Sequence, residues 1–301
     1  MVKSSKDVVS ARQLMVLERA FRDKDGASIS GLAKECKVSP NTIVRDAEDL
    51  HRKIPIIEVK GKRVHAAPTG LEAIWSGRDI GERLGNYPAK ENLAKKVFSF
   101  IKEHRKAIQR LVLGSGTTVR ECARELMKGA ACLGDMRIHT ANLLVLHDFV
   151  YHKPSNLCIE LPRGEVDLER ATLWSEDIVE YFQGIEPQAV ITSFSDVHFE
   201  EGFCTRYDDA REKLANLRPK FDGCRWVIIP MEWSKIARCV HDPVTDSRDE
   251  QLDFVGGKRK YIIITDRPSP DKWDKNVDDE KLADLDLWKE TYKDGIEIIY
   301  A

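Results

Sequence analysis

Apolar residues at helical spacing predict a first helix close to the N-terminus. Residues 11–21 form one apolar helical face. Its members are Leu14, Leu17, Ala20 and Phe21. The polar run DKDGAS then ends the pattern, so we expect this helix to pack through that face.

Two further helices are predicted directly after it. Ser30 is a suitable N-cap for a short helix, GLAKEC. Ser39 is a strong N-cap candidate for a third helix, PNTIVRDAEDLHRK, because Pro40 takes the first helical position, where no amide hydrogen is needed. The residues expected to be buried in these two helices and the turn between them are Leu32, Ala33, Val38, Ile43, Ala47 and Leu50.

The third helix and the segment after it have the pattern of a winged helix-turn-helix. The N-terminal end of the helix presents short polar side chains and an arginine, which suit base edges and phosphates in a major groove. The run IPIIEVKGKRVHA alternates into two strands around Gly61 with a basic tip, which suits phosphate contacts. A helical hairpin followed by a β-hairpin with a solvated basic tip is the alternative. The candidate DNA contacts are Ser39, Asn41, Thr42, Arg45, Lys60, Lys62 and Arg63.

Charge is distributed unevenly and favours the same interpretation. Residues 1–65 carry 14 Lys+Arg against nine Asp+Glu, a net of +5, and the other 236 residues carry −7. A basic head on an acidic body is typical of a nucleic-acid module joined to a second domain. The whole chain, with 42% hydrophobic and 33% charged residues among 301, is not that of a disordered protein and is long enough for about two domains.

The rest of the chain alternates between buried-strand and helical patterns. This alternation predicts an open, mostly parallel α/β sheet, in which ligands bind at the carboxyl ends of strands. The expected strands are 110–116, 135–142, 157–164, 188–194, 224–230 and 260–266. The expected organisation is a DNA-binding domain over 1–67, a linker over 68–89 with a short helix around 71–75, an α/β domain over 90–267 and an acidic extension over 268–301.

The acidic extension has two interpretations. Four apolar residues within it can pack on the α/β domain or form a partner surface, and a solvated, partly helical tail is the alternative. These residues are Trp273, Leu282, Leu285 and Trp288.

One strand-to-helix loop is a candidate anion site. The run LVLGSGTT at 111–118 combines two glycines with three hydroxyl side chains at a helix N-terminus, a geometry that cradles phosphate. It is neither a dinucleotide fingerprint nor a Walker lysine loop, and a plain strand-to-helix turn is the alternative. The candidate ligands are Gly114, Ser115, Gly116, Thr117 and Thr118.

Seven segments of the chain, in order and spacing, resemble the DeoR family of bacterial transcription regulators. They are LAKECKVSPNTIVRDAEDL, LGSGTT, HTANLLV, LPRGEV, EEGFCTRYDDAREK, MEWSKI and IIITD. The resemblance implies a sensor domain similar to ribose-5-phosphate isomerase that binds a phosphorylated sugar or related anion. It adds Asn142, Asp196, Lys213 and Lys235 as ligand contacts. The chain departs from the family at ITSFSDV, where a glycine-bearing segment is usual, and at Glu232 and Trp233.

The expected function is therefore a DNA-binding regulator, with repression as the expected mode, whose operator affinity is set by a phosphorylated metabolite. Its expected partners are double-stranded operator DNA, the metabolite and a second copy, as a homodimer or homotetramer. We expect no enzyme, no catalytic residue and no membrane association. A sugar-phosphate isomerase or deaminase-like enzyme and a regulator or signalling module with a non-sugar ligand are the alternatives.

The cysteines and the first residues of the chain indicate the cellular compartment. The seven cysteines are scattered, without a CxxC pair, so we expect buried or idle thiols in a reducing cytoplasm, no metal site and no cofactor. The start of the chain has no apolar stretch after its lysines, so we expect no signal peptide.

Overall fold

The computed structural model describes residues 11–23, 25–53, 57–66, 87–167, 170–205, 210–245, 248–252, 258–268 and 273–301. The chain divides into two compact units. The N-terminal unit comprises Met1–Pro88 with Leu168–Ala171, and the α/β unit comprises Ala89–Asp167 with Thr172–Ala301. The short helix expected around 71–75, like the linker up to residue 86, lies outside the described residues.

The N-terminal unit contains three helices and a small antiparallel sheet. The helices are α1 Ala11–Arg22, α2 Ile29–Glu35 and α3 Pro40–Lys53. The strands are β1 Ala27–Ser28, β2 Ile57–Lys60 and β3 Arg63–Ala66, in the order β1-β3-β2. The helix predicted over PNTIVRDAEDLHRK and the two strands predicted around Gly61 are thus confirmed.

The apolar faces of the three helices and the hairpin form the interior of this unit. The buried residues are Val16, Leu17, Ala20, Leu32, Ala33, Ile43, Ala47, Leu50, Ile57 and Val64. An ion pair adds to this packing, since Arg12 Nε lies 2.5 Å from Asp46 Oδ2 and joins α1 to α3. Gly61, with φ +60, supplies the left-handed residue that the two-residue turn between β2 and β3 requires.

The helix caps agree with the sequence in one case and differ in the other. Ser39 Oγ accepts a hydrogen bond from Thr42 N at 3.2 Å, which confirms the cap of α3. The cap of α2 is Ser28 rather than Ser30. The buried Ile29 belongs to the apolar face of that helix, so the helix begins closer to the N-terminus than predicted. Val38 in the turn is half-buried.

Among the described residues, seven parallel strands form the main sheet of the α/β unit. They are β4 Arg110–Leu113, β5 Met136–Thr140, β6 Leu157–Glu160, β9 Ala189–Ile191, β12 Trp226–Met231, β14 Lys260–Thr265 and β15 Ile296–Tyr300. Their order in the sheet is β15-β14-β12-β9-β4-β5-β6. The six strands predicted for this domain all lie in this sheet, which confirms the α/β class.

Helices and smaller sheets complete this unit. The helices are α4 Tyr87–Glu103, α5 Thr117–Lys128, α6 Leu143–His152, α7 Ile178–Gly184, α8 Ala210–Leu217, α9 Arg248–Gln251 and α10 Lys275–Thr291, with 3-10 turns at Ala130–Cys132 and Trp233–Lys235. The smaller sheets are β7 Glu165–Asp167 with β8 Thr172–Trp174, and β10 Asp196–His198 with β11 Gly202–Thr205 and β13 Asp242–Pro243.

The sheet is covered on both faces by apolar side chains, as a parallel sheet requires. Leu93 and Val97 of α4 and Val119 of α5 pack with Leu111 and Leu113 of β4. The other face of β4 packs with α7 and α8 in a second cluster.

No helix within the described residues is long and apolar enough to span a membrane, and no group of His, Cys, Asp and Glu among them has the arrangement of a metal site.

The acidic C-terminal segment is part of the α/β unit. Leu285 and Trp288 of α10 are fully buried, and Trp273 and Leu282 pack partly against the same cluster. Strand β15 pairs with β14 at the edge of the main sheet. These contacts favour packing on the domain over a solvated tail.

A buried ion-pair group joins α5 to α6. Asp148 accepts hydrogen bonds from Arg120 Nε at 2.6 Å and Arg124 Nε at 2.7 Å, and each arginine donates a second bond to the other carboxylate oxygen. Burial alone raises the pKa of Asp148, but the two guanidinium groups outweigh it and lower the pKa to about 2. Asp148 therefore stabilises the fold at pH values above the ordinary aspartate pKa, and this contribution is lost as pH falls towards about 2.

We predict that Asp148→Asn lowers the free energy of unfolding near neutral pH by about 3 kcal/mol, because it removes the negative charge that pairs with the buried Arg120. Urea unfolding at neutral pH measures this. The exposed Asp135 provides the control, and Asp135→Asn should change the free energy by less than about 0.5 kcal/mol. Equal effects of the two substitutions would contradict the assigned role of the ion pairs.

Candidate functional site

The N-terminal end of α3 presents polar side chains to solvent. Asn41 and Arg45 are exposed, while Thr42 is half-buried. The Thr42 hydroxyl lies 2.9 Å from the Ser39 hydroxyl, so these two side chains complete the helix cap. Asn41 and Arg45 are therefore the predicted contacts of α3 that project freely into solvent.

The tip of the β2–β3 hairpin holds the three predicted basic residues. Lys60, Lys62 and Arg63 are all exposed. Lys60 pairs with Glu58, and Arg63 Nη1 donates to the Gly26 carbonyl at 2.6 Å. The tip is thus basic, with Arg63 fixed against the backbone of the same unit.

The predicted anion loop leaves the carboxyl end of β4 and enters α5 at Thr117. Gly116 is the N-cap of α5 and has a φ of +106, a conformation that favours glycine. At Gly114, an added Cβ would lie 2.9 Å from Asn216 Nδ2 and 3.0 Å from Thr192 Oγ1. Glycine at 114 therefore allows two polar side chains to approach the loop backbone.

Two charged residues of α8 bind the middle of this loop. Ser115 N donates to Glu212 Oε1 at 3.1 Å, and Lys213 Nζ donates to the Ser115 carbonyl at 3.0 Å. Both side chains are buried. Amides at a helix N-terminus attract negative charge. The Glu212 carboxylate therefore occupies the Ser115 amide, which the sequence predicts to bind the ligand.

A second carboxylate, Glu232, binds the start of α5. Its Oε1 accepts from Thr118 Oγ1 at 2.8 Å, and its Oε2 lies 2.6 Å from Lys235 Nζ. Lys90 Nζ lies 3.8 Å from Glu232 and donates to Thr117 Oγ1 at 3.2 Å. Burial raises the pKa of Glu232, but Lys235, Lys90 and the Thr118 hydroxyl outweigh this and hold it below its ordinary value.

Asn142 joins the same loop through its amide group. Its Nδ2 donates to the Gly116 carbonyl at 3.1 Å, and its Oδ1 accepts from Leu144 N at 3.1 Å as the cap of α6. The asparagine therefore connects the N-termini of α5 and α6.

Three side chains around Gly114 carry buried polar atoms without a hydrogen-bond partner among the described residues. These atoms are the hydroxyls of Ser115 and Thr192 and both amide atoms of Asn216. Buried polar groups normally have partners, so these atoms identify a place where a polar ligand or water would bind. The geometry joins Gly114–Thr118, Asn142 and Lys213 in one cluster, with Lys235 reaching it through Glu232.

Asp196 makes its contacts elsewhere. Its Oδ2 accepts from Val240 N and His241 N, each at 3.2 Å, and from His241 Nδ1 at 2.5 Å. This carboxylate fixes the segment that leads into β13. Nothing in its contacts joins it to the Gly114–Thr118 loop in the described part of the chain, so its predicted ligand role has no support from the geometry.

Sequence reasoning did not identify several members of this cluster. Asn216 could have been found, because it lies three and four residues after Lys213 and Glu212 and therefore on the same face of α8. Thr192 directly follows β9 at the carboxyl edge. Lys90 carries no local signal, since its partners lie far away in sequence.

No family model and no curated protein matches the chain. Solved structures give low similarity. Ribose 5-phosphate isomerase A from Methanocaldococcus jannaschii is 13% identical with a TM-score of 0.31, over 49% of this chain and 55% of that one. The eIF2B β subunit from Chaetomium thermophilum is 12% identical with a TM-score of 0.35, over 80% and 75%. An O-methyltransferase family protein from Burkholderia thailandensis is 11% identical with a TM-score of 0.26, over 68% and 71%.

These comparisons correct one expectation. Further O-methyltransferases match as well, one of them in complex with S-adenosyl-L-homocysteine. Several of these matching structures are enzymes. The expectation from the sequence that the chain is not an enzyme is therefore wrong. At these TM-scores the similarities assign no activity to the chain. None of the structures named here is a DeoR regulator, so that resemblance stays a prediction.

Proposed function

We propose that the chain is a DNA-binding transcription regulator of the DeoR type, with a winged helix-turn-helix in its N-terminal unit. The observation that carries the proposal is the orientation of α3. Its apolar side chains Ile43, Ala47 and Leu50 are buried, and Asn41 and Arg45 at its N-terminal end are exposed. A recognition helix needs this orientation, because its first residues enter the major groove.

The hairpin supports the same proposal. Lys60, Lys62 and Arg63 lie around the turn between β2 and β3, and exposed cations at such a tip suit DNA phosphates. Helix α3 packs against β2 in the same unit. One helix and one hairpin bury too little surface for tight specific binding, so the proposal includes a homodimer or homotetramer that reads two half-sites.

For the α/β unit we propose a small phosphorylated sugar or related anionic metabolite as the ligand. The support is the unpartnered polar atoms of Ser115, Thr192 and Asn216 at the carboxyl end of the sheet. An anionic group of the ligand would replace the Glu212 carboxylate on the Ser115 amide. Ligand binding would then change operator affinity by a coupling free energy of about 1–3 kcal/mol. DNA binding by the N-terminal unit does not depend on whether the α/β unit also catalyses a reaction.

The DNA prediction concerns Arg45 and Lys62. Duplexes enriched by the wild-type chain from a randomised library, with scrambled duplexes for comparison, provide the probes, and fluorescence anisotropy gives the affinities. Arg45→Ala should weaken binding to the enriched duplex by about 10- to 100-fold and leave scrambled DNA almost unchanged. Lys62→Ala should weaken binding to both and lower the slope of log affinity against log salt by about one.

Arg137→Ala is the matched control, because Arg137 is an exposed arginine of the α/β unit. It should bind both duplexes like the wild type. The proposed sequence-specific DNA binding would be overturned if the wild type failed to enrich any sequence, or if wild type and Arg45→Ala bound equally well.

The ligand prediction uses thermal unfolding with inorganic phosphate, ribose 5-phosphate, glucosamine 6-phosphate and unphosphorylated ribose. At least one phosphorylated compound should raise Tm by a few degrees, and ribose should not. Thr117→Ala should abolish the shift, whereas Thr291→Ala, at an exposed threonine ending α10, should retain it. The absence of a shift with every phosphorylated compound would contradict the ligand class.

A further inference from the structure

Two cysteines that are distant in sequence lie next to each other in the α/β unit. The Sγ atoms of Cys204, on β11, and Cys239, in the segment before β13, are 3.9 Å apart. Cys204 is fully buried and Cys239 is exposed. Both thiols are free.

The backbone on both sides of Cys239 is fixed against the hairpin that carries Cys204. Arg238 N donates to the Val197 carbonyl at 3.1 Å. On the other side, Val240 N and His241 N donate to Asp196, which pairs directly with Cys204 in the register of β10 and β11. The thiols are therefore held together by backbone contacts and do not meet by chance rotation of a loose segment.

We propose that Cys204 and Cys239 form a reversible disulfide when the protein meets a peroxide. In the first step the Cys239 sulfur attacks one oxygen of hydrogen peroxide, the O–O bond breaks, and Cys239 sulfenic acid and water form. In the second step the Cys204 sulfur attacks the Cys239 sulfur, the S–O bond breaks, and the hydroxide leaves as water with the Cys204 proton. A dithiol reductant restores both thiols by exchange.

Exposure assigns the order of the two steps. Cys239 is accessible to a dissolved oxidant, whereas Cys204 is enclosed. Burial, together with the neighbouring Cys239 and Asp196, raises the pKa of the Cys204 thiol, so it stays protonated and resists direct oxidation. Cys239 is therefore the residue that reacts first, and Cys204 is the residue that resolves the sulfenic acid.

The bond requires only a local movement. A disulfide joins its sulfurs at about 2 Å, and the exposed Cys239 side chain can rotate towards Cys204. The product would tie the segment from Ile236 to His241 covalently to β11. This segment directly follows the 3-10 turn that carries Lys235.

Peptide mapping of the full chain tests the proposal. The protein is treated with hydrogen peroxide, its remaining thiols are alkylated, and it is digested with trypsin without reduction. Trypsin places Cys204 in the peptide 171–206 and Cys239 in the peptide 239–248. We expect a linked pair of these peptides, lighter by two hydrogen atoms than their sum, with loss of two of the seven thiols and recovery of both after dithiothreitol.

The exposed cysteines supply the controls. Cys239→Ser should remove the linked pair and leave Cys204 fully alkylated after denaturation, whereas Cys158→Ser, at another exposed cysteine, should keep the linked pair. The proposal is overturned if Cys204 stays fully alkylated in the oxidised wild type, or if Cys239 links instead to Cys132 or Cys158.

Discussion

The buried carboxylate of Glu232 needs close positively charged and hydrogen-bonding partners. This need organises the edge of the parallel sheet where the strands have their carboxyl ends. Glu232 is almost fully buried, and such a charge is tolerated only with close partners. Its partners come from three separate elements: Lys90 from α4, Thr118 from α5 and Lys235 from the 3-10 turn after β12. The need to neutralise one carboxylate therefore fixes the relative positions of α4, α5 and the chain after β12. It also means that Lys90 and Lys235 are already partly neutralised within the protein.

The loop after β4 follows the same rule. Its Ser115 amide is bound by Glu212, while Lys213 binds the carbonyl of the same residue. The site therefore contains its own anion and its own cations, and an incoming anion has to compete with Glu212. The unpartnered atoms of Thr192 and Asn216 beside Gly114 are available for new hydrogen bonds in that exchange. In the proposed sensor, this competition suits reversible binding.

Local patterns predicted local structure well. Helix α3 and its Ser39 cap could be read from sequence, because a capping serine, a following proline and an apolar stripe all lie within a few residues. The start of α2 was misplaced at Ser30, since the burial of Ile29 depends on tertiary packing. Strand β15 was missed because IEIIY stands in an acidic segment and is only stabilised by pairing with β14. Two partners of this loop, Glu212 and Glu232, could not be predicted, since they reach it across about a hundred residues.

The competition between Glu212 and a bound anion is the central claim, and isothermal titration of inorganic phosphate into wild type and Glu212→Gln tests it most directly. Glutamine keeps an oxygen that can accept from Ser115 N and removes the negative charge. We expect Glu212→Gln to bind phosphate at least about tenfold more tightly than wild type, a gain of about 1.4 kcal/mol. Glu165→Gln, at an exposed glutamate of β7, should bind like wild type. Equal or weaker binding by Glu212→Gln would contradict the claim that this carboxylate occupies the anion position.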